Sequence, residues 1–129
     1  MPFNVLLVDD HKLVRDGVKT ILERGSEFKV VGEAEDGANA VQMCRKSAPD
    51  IVLMDIGLPG MNGIDVLKKI RKDNEKIPVF IITAFSNEER FKLANKFNAS
   101  GFIVKTNDLQ REIQNITAAI AISEGFKGR

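Results

Sequence analysis

The sequence is poor in the residues that make crosslinks and transition-metal sites. Its 129 residues include one cysteine, Cys44, and one histidine, His11, and tryptophan and tyrosine are absent. An internal disulfide is therefore impossible, and zinc sites built from several cysteines or histidines are excluded. A metal site in this chain has to draw mainly on oxygen ligands.

Long apolar runs and an excess of one charge are also missing. The longest apolar stretch runs from Ile77 to Phe85, is interrupted by Pro78 and Thr83, and is far too short to span a bilayer. The N-terminal residues do not show a basic region followed by an apolar one, so we expect no secretory signal. Nineteen basic and eighteen acidic side chains leave a net charge of +1, which argues against nucleic-acid binding through a broad basic face. We expect one reduced, cytoplasmic domain over residues 1–129, with no membrane partner.

Five short runs rich in β-branched and aromatic residues are present instead. Several are nearly continuous in apolar residues, as strands buried on both faces of a parallel sheet must be. The predicted strands are Phe3–Val8, Phe28–Ala34, Ile51–Met54, Pro78–Thr83 and Gly101–Val104.

The segments between these runs have the period of amphipathic helices. Each of the five predicted helices has one apolar face that we expect to be buried. These faces consist of Val14, Val18, Ile21 and Leu22 in the first helix; Ala38, Val41, Cys44 and Ala48 in the second; Ile64, Leu67 and Ile70 in the third; Phe91, Ala94 and Phe97 in the fourth; and Leu109, Ile113, Ile116 and Ile120 in the fifth. Strict alternation of strands and helices predicts an α/β fold with helices on both faces of a parallel sheet. A common strand order for five strands is 2-1-3-4-5, in which ligands bind beyond the carboxyl ends of the first and third strands.

Polar residues follow four of the predicted strands at that edge. Asp9 and Asp10 follow the first strand, Asp55 the third, Thr83 ends the fourth, and Lys105 follows the fifth. Asp50, at the opposite end of the third strand, is interpreted as a turn residue and serves as a control. The parallel sheet thus predicts three carboxylates, a hydroxyl and an ammonium at one edge.

Three carboxylates in one cleft repel one another, so the group needs protonation, a lysine or a cation. Lys105 alone leaves two negative charges, and a divalent cation removes both. Oxygen ligands suit magnesium, and magnesium with a lysine and a hydroxyl suits phosphoryl transfer. Because the chain has no glycine-rich phosphate loop, the remaining role is that of phosphoryl acceptor. Asp55 stands alone at the end of the third strand, across the expected ligand-binding crevice from Asp9 and Asp10, and it is the predicted acceptor.

These motifs resemble those of the bacterial response-regulator receiver domains, which have a CheY-like fold. The resemblance covers essentially the whole chain, and its motifs fall in order at the predicted strand ends. They are Val8-Asp9-Asp10-His11, Met54-Asp55-Ile56-Gly57-Leu58-Pro59-Gly60-Met61-Asn62-Gly63, Ile82-Thr83-Ala84 and Gly101-Phe102-Ile103-Val104-Lys105.

The resemblance implies a role for each site residue. Asp55 would be phosphorylated by a sensor histidine kinase in a magnesium-dependent reaction. Asp10 and Asp55 would bind Mg²⁺ directly, Asp9 mostly through water, and Gly57 through its backbone carbonyl. The Thr83 hydroxyl would bond to the phosphoryl oxygens, and Lys105 would pair with them. By itself His11 is interpreted as a helix-start residue near the site rather than as a catalytic base.

Two details resemble the LuxR/NarL-type subfamily. The Asp-Asp-His motif continues into Lys12-Leu13-Val14-Arg15, and Lys105 is followed by Thr106 rather than by the proline that many receivers have. A cis bond before a non-proline residue costs about 3–4 kcal/mol, so a trans loop at Lys105–Thr106 is an open alternative. The subfamily usually carries a helix-turn-helix DNA-binding domain, which we expect outside this chain; a stand-alone receiver acting by protein contact is the alternative.

A switch residue and a self-association surface are also implied. Phe102 lies where the family has its switch aromatic, and an inward movement of Thr83 would open space for its ring. Because phenylalanine has no hydroxyl, packing alone would set the two rotamers. The rotamer of Phe102 would change a surface formed by the fourth helix, the fifth strand and the fifth helix. Two receivers would pair through this surface.

Two rival functions fit the residues less well. A haloacid-dehalogenase-like phosphohydrolase also uses Asp, Thr, Lys and magnesium, but it needs a second aspartate two residues after the nucleophile, where this chain has Gly57. A flavodoxin-like flavin binder needs a phosphate loop after the first strand, which is missing. The sequence therefore favours a phosphoacceptor that assists its own phosphorylation and dephosphorylation over an enzyme.

Overall fold

The strands and helices alternate along the chain as predicted. The computed structural model describes residues 3–24, 28–58, 62–74, 76–83, 88–97, 99–104 and 111, with the backbone alone at 83, 88–91 and 104. The strands are β1 (Phe3–Val8), β2 (Phe28–Ala34), β3 (Ile51–Asp55), β4 (Val79–Thr83) and β5 (Gly101–Val104), and the helices are α1 (Lys12–Arg24), α2 (Gly37–Ser47), α3 (Gly63–Asp73) and α4 (Glu88–Lys96). The predicted fifth helix lies outside the described residues.

The five strands form one sheet in the order β2-β1-β3-β4-β5. All four strand pairs are parallel, which confirms the predicted topology. The strand bounds match the prediction except that β3 extends to Asp55, which pairs with Ile82, and that β4 starts after Pro78. Proline has no N–H to give to the ladder, and this explains the later start of β4.

Successive residues of a strand point to opposite faces of the sheet, and each face has its own hydrophobic core. On one face Leu6, Val8 and Met54 pack with residues of α2, α3 and α4. On the other face Val5 and Leu7 pack with residues of α1. The described helices therefore cover both faces, and the central strands are mostly apolar because neither face meets water.

The buried face of α2 matches the predicted one at Val41 and Cys44 and differs from it at Ala38 and Ala48. Ala38 and Ala48 are exposed, whereas Ala40 and Val41 are buried and Cys44 is half-buried against the core. The helix starts at Gly37, where Asp36 caps its first turn by accepting from the Asn39 N–H, and it ends before Ala48, which has a left-handed backbone. Ala38 thus lies on the solvent side of α2, and Ala48 lies outside the helix.

The sheet has two edges with different chemistry, defined by strand direction. The carboxyl ends of the strands form the edge that we call the site edge, and their amino ends form the opposite edge. β1 and β3 are neighbours, while the chain leaves them for opposite faces of the sheet, so a crevice opens between their carboxyl ends. In the described part of the chain, no helix combines the length and apolar character needed to cross a membrane.

Candidate functional site

Asp9 and Asp10 lie in the short turn between β1 and α1. The Asp9 N–H donates to the Ala34 carbonyl (3.0 Å), which continues the β1–β2 ladder by one residue. The Asp9 carboxylate accepts from the His11 N–H (2.9 Å), and this contact turns the chain into α1. Asp9 is only 4% exposed, whereas Asp10 is open to solvent.

Asp55 is the last residue of β3 and is 7% exposed. Its Oδ1 atom accepts from the Gly57 N–H at 3.1 Å. The chain then returns to the sheet at the start of α3, where the Gly63 N–H donates to the Ile56 carbonyl (2.8 Å) and Asn62 caps the helix by accepting from the Asp65 N–H. The Asp55 side chain is thus held at the site edge by the backbone that follows it.

The structure brings the three aspartates together. Asp9, Asp10, His11 and Asp55 each offer one ligand atom, and these four atoms all lie within 4.8 Å of one another. Asp9 and Asp55 form the buried side of the cluster, and Asp10 and His11 form its exposed side. Such a donor set fits Mg²⁺, because carboxylate oxygens are its preferred protein ligands and the open side leaves room for water.

His11 contributes more than its sequence position indicated. It precedes α1, as predicted, but its Nδ1 atom also lies 3.0 Å from Asp10 Oδ1 and 3.3 Å from Asp9 Oδ1. The ring is 66% exposed. The structure thus adds a nitrogen to the cluster at a position that the sequence could assign only to the neighbourhood of the site.

Arg15 is a buried charge that the sequence analysis missed. Its side chain is 6% exposed and reaches Glu33, Glu35 and the Asp9 carbonyl. A signal was present, because Arg15 precedes Val18 by three residues and so lies on the apolar face of α1. An arginine between apolar residues of one face is nevertheless commonly solvated, so this spacing alone gave no prediction.

The nearest lysine of α1 does not neutralise the cluster. Lys12 Nζ pairs with Asp16 Oδ2 one turn along the helix, at 2.9 Å. The hydrogen bond raises the pKa of Lys12 and lowers the pKa of Asp16. The Lys12 ammonium is therefore engaged by Asp16 rather than by the site carboxylates.

The structure describes some of the remaining predicted site residues and not others. Thr83 ends β4 and pairs in register with Val104, so its backbone lies at the site edge, while its side chain is outside the described atoms. Gly57 is exposed beside Asp55. Phe102 lies on β5 opposite Ile81 and is half-buried against the core. Lys105 and the Lys105–Thr106 bond lie outside the described residues.

A model of the family described as response regulator receiver domain matches residues 5–117. Among curated proteins, the response regulator UvrY of Escherichia coli (strain K12) is 40% identical over 102 residues, which cover 79% of this chain and 47% of UvrY. The chain spans about half the length of the curated relatives it matches.

Solved structures of response regulators are also similar to this chain. A LuxR-family two-component response regulator from Aurantimonas sp. SI85-9A1 superimposes with a TM-score of 0.88 at 35% identity, covering 94% of this chain and 86% of the other. A chain of the CheX–CheY–BeF3–Mg²⁺ complex from Borrelia burgdorferi superimposes with a TM-score of 0.85 at 31% identity, covering 93% and 90%.

Proposed function

The chain belongs to the response regulator receiver domain family, of the LuxR/NarL type, and from this premise we propose that Asp55 accepts a phosphoryl group from a sensor histidine kinase. The observation that carries the proposal is the position of Asp55. Its buried carboxylate ends β3 within 4.8 Å of ligand atoms of Asp9 and Asp10, at the crevice where α/β sheets of this order bind ligands.

The transfer is a displacement at phosphorus. An Asp55 carboxylate oxygen forms the new P–O bond, and the bond from phosphorus to the donor breaks, which leaves the donor histidine with the electron pair and yields an acyl phosphate on Asp55. The Gly57 N–H on Oδ1 fixes the orientation of the carboxylate before the transfer. The protein's contribution is mainly positioning and charge neutralisation.

Asp10, Asp55 and the Gly57 carbonyl would hold a magnesium ion, and Asp9 would act mostly through water. When bound, the ion neutralises the carboxylates and the incoming phosphoryl oxygens. The donor set supports this choice, and so does a relative at 31% identity whose structure is described with Mg²⁺ and BeF3.

Thr83 and Lys105 complete the proposed site. Thr83 lies on the strand beside Asp55, since Asp55 pairs with Ile82 in the sheet. Its hydroxyl would donate to a phosphoryl oxygen, and the Lys105 ammonium would pair with another. Together with Asp55 they would make the protein a phosphoacceptor that assists its own phosphorylation and dephosphorylation. We propose that residues 1–129 form one receiver domain and that it acts in the cytoplasm.

The output is proposed to be transcriptional. Relatives such as UvrY are response regulators about twice as long as the matched segment. The LuxR/NarL-type subfamily usually carries a helix-turn-helix domain, which would contact DNA outside this chain. Phosphorylation would move Thr83 and Phe102 and favour pairing of two receivers. A phosphohydrolase is not favoured, because Gly57 stands where such an enzyme needs its second aspartate.

Intact-mass measurement after incubation with Mg²⁺ and acetyl phosphate tests the acceptor. The parent protein is expected to gain one phosphoryl group, and Asp55→Asn is expected to gain none. Asp50→Asn is the matched control, because it makes the same change at the other end of β3 and should be phosphorylated as the parent is. A phosphoryl group on the Asp55→Asn protein would overturn the assignment.

The switch has a separate test. Phe102→Ala is expected to leave phosphorylation by acetyl phosphate intact while removing the dependence of self-association on it, measured by sedimentation with and without the phosphodonor. If the variant dimerised on phosphorylation as the parent does, the signal would leave the site through another residue.

A further inference from the structure

A buried guanidinium needs an explanation wherever it occurs, because removing the charge from water is unfavourable unless the charge is paired. Arg15 is one of three charged side chains that are buried in the described part of the chain, and the other two are Asp9 and Asp55 of the site itself. Each of its three nitrogens has a partner: Nε donates to Glu33 Oε1 (3.0 Å), Nη1 to the Asp9 carbonyl (2.6 Å), and Nη2 to Glu35 Oε1 (3.2 Å).

The three contacts join Asp9 to the end of β2. Glu33 and Glu35 flank Ala34, whose carbonyl accepts the Asp9 N–H. The end of β2 therefore holds Asp9 twice, directly at its N–H and through Arg15 at its carbonyl. Because the peptide unit is planar, fixing the Asp9 carbonyl also fixes the direction in which the chain enters Asp10.

We propose that Arg15, anchored by Glu33 and Glu35, is a positioning residue of the magnesium site, which aims the Asp9 and Asp10 carboxylates at the ion. The inference rests on the proposed function, since it presupposes that Mg²⁺ binds here. Arg15 acts through the backbone and does not contact the ion.

Charge and geometry make opposite predictions for the loss of Arg15. A positive charge beside three carboxylates opposes a cation, so electrostatics alone predicts tighter Mg²⁺ binding when Arg15 is neutralised. Loss of positioning predicts weaker binding, by the about 10- to 100-fold that is typical when a residue supporting a metal ligand is removed. The sign of the change therefore separates the two.

The test is a Mg²⁺ titration of the parent protein, Arg15→Met and Arg15→Lys, followed by backbone amide NMR shifts. Arg15→Met is expected to bind about 10- to 100-fold more weakly. Arg15→Lys keeps the charge but loses the fork of donors that joins Asp9 to both glutamates, and it is expected to bind more weakly than the parent as well. This variant keeps the test decisive if Arg15→Met does not fold.

Arg45→Met is the matched control. Arg45 pairs with Asp73 on an exposed surface (2.6 Å), so its replacement removes the same charge without touching the site edge. Its Mg²⁺ affinity should equal that of the parent, and the apo amide shifts of Asp9 and Asp10 should move in the Arg15 variants only. Parent-like or tighter Mg²⁺ binding by the Arg15 variants would overturn the inference alone, whereas a parent protein without a Mg²⁺ response would overturn the proposed function and the inference together.

Discussion

Asp50 and Asp55 stand at the two ends of β3, and their surroundings differ. At the opposite edge, Asp50 is half-buried, its Oδ2 accepts from the Asn4 N–H, and its own N–H donates to the Asn4 carbonyl, both at 2.7 Å. At the site edge, Asp55 is buried beside Asp9, Asp10 and His11. The first carboxylate extends the pairing of β1 and β3, and the second joins a group of like charges that the fold alone does not require. Strand direction, rather than residue type, separates a structural aspartate from a chemical one.

Metal binding should separate the two edges most strongly. Asp10→Ala removes a proposed ligand, so Mg²⁺ affinity should fall by more than the about 10- to 100-fold expected for a supporting residue. Asp50→Ala removes an equal charge at the other end of β3 and should leave the affinity nearly unchanged. Amide shifts during Mg²⁺ titration report both values. Equal affinities for the two variants would contradict the proposed ligand set.

Two glycines test how tightly each edge is built. A Cβ added at Gly63 would lie 2.5 Å from the Ile56 Cα and 2.9 Å from the Asp55 carbonyl oxygen, which are backbone atoms that cannot yield. We expect Gly63→Ala to lower the free energy of unfolding by about 1–3 kcal/mol and to weaken Mg²⁺ binding through Asp55.

Gly101→Ala is the counterpart at the opposite edge, because its Cβ would meet the Phe80 ring edge at 2.8 Å. A ring can shift, so the expected loss is smaller, about 1 kcal/mol, with Mg²⁺ binding unchanged. Urea denaturation measures both losses. A Gly63→Ala protein as stable as the parent would show that the turn after β3 is looser than its contacts indicate.

The two aspartates should have opposite effects on the stability of the metal-free protein. Asp50→Ala leaves the half-buried Asn4 N–H without this acceptor, and we expect a loss of about 1–2 kcal/mol. Asp10→Ala relieves repulsion among the site carboxylates, and its unfolding midpoint without metal should equal or exceed that of the parent. Thermal unfolding in chelator decides the signs. A destabilised Asp10→Ala protein would mean that its pairing with His11 outweighs the repulsion.

The reactivity of the Cys44 thiol tests whether the effect of Mg²⁺ binding is confined to the site edge. The thiol lies near the end of α2, toward the opposite edge, and burial raises its pKa. Because the thiolate is the reactive form, alkylation at neutral pH should be slower than for a free thiol, and it should accelerate as pH rises. Saturating Mg²⁺ is expected to leave the rate unchanged. An acceleration by Mg²⁺ would reveal coupling from the site edge to α2.

Much of the architecture was predictable, since near-continuous apolar runs define buried parallel strands and strand direction places Asp9, Asp10 and Asp55 at one edge. The motifs likewise allowed the family to be identified. The face of α2 was predicted correctly at Val41 and Cys44 and wrongly at Ala38 and Ala48, because Ala38 lies on the solvent side and the helix ends before Ala48. The pairing of Arg15 with Glu33 and Glu35 joins two elements across the fold, so no local pattern in either segment reveals it.

Mapping the modified residue tests the central claim most directly. Borohydride reduces an acyl phosphate to an alcohol, so a phosphorylated aspartate becomes homoserine, which peptide mass spectrometry locates. After incubation with Mg²⁺ and acetyl phosphate, homoserine is expected at position 55 and at none of positions 9, 10 and 50. Homoserine at one of those three positions, with Asp55 unmodified, would contradict the assignment of Asp55 as the acceptor.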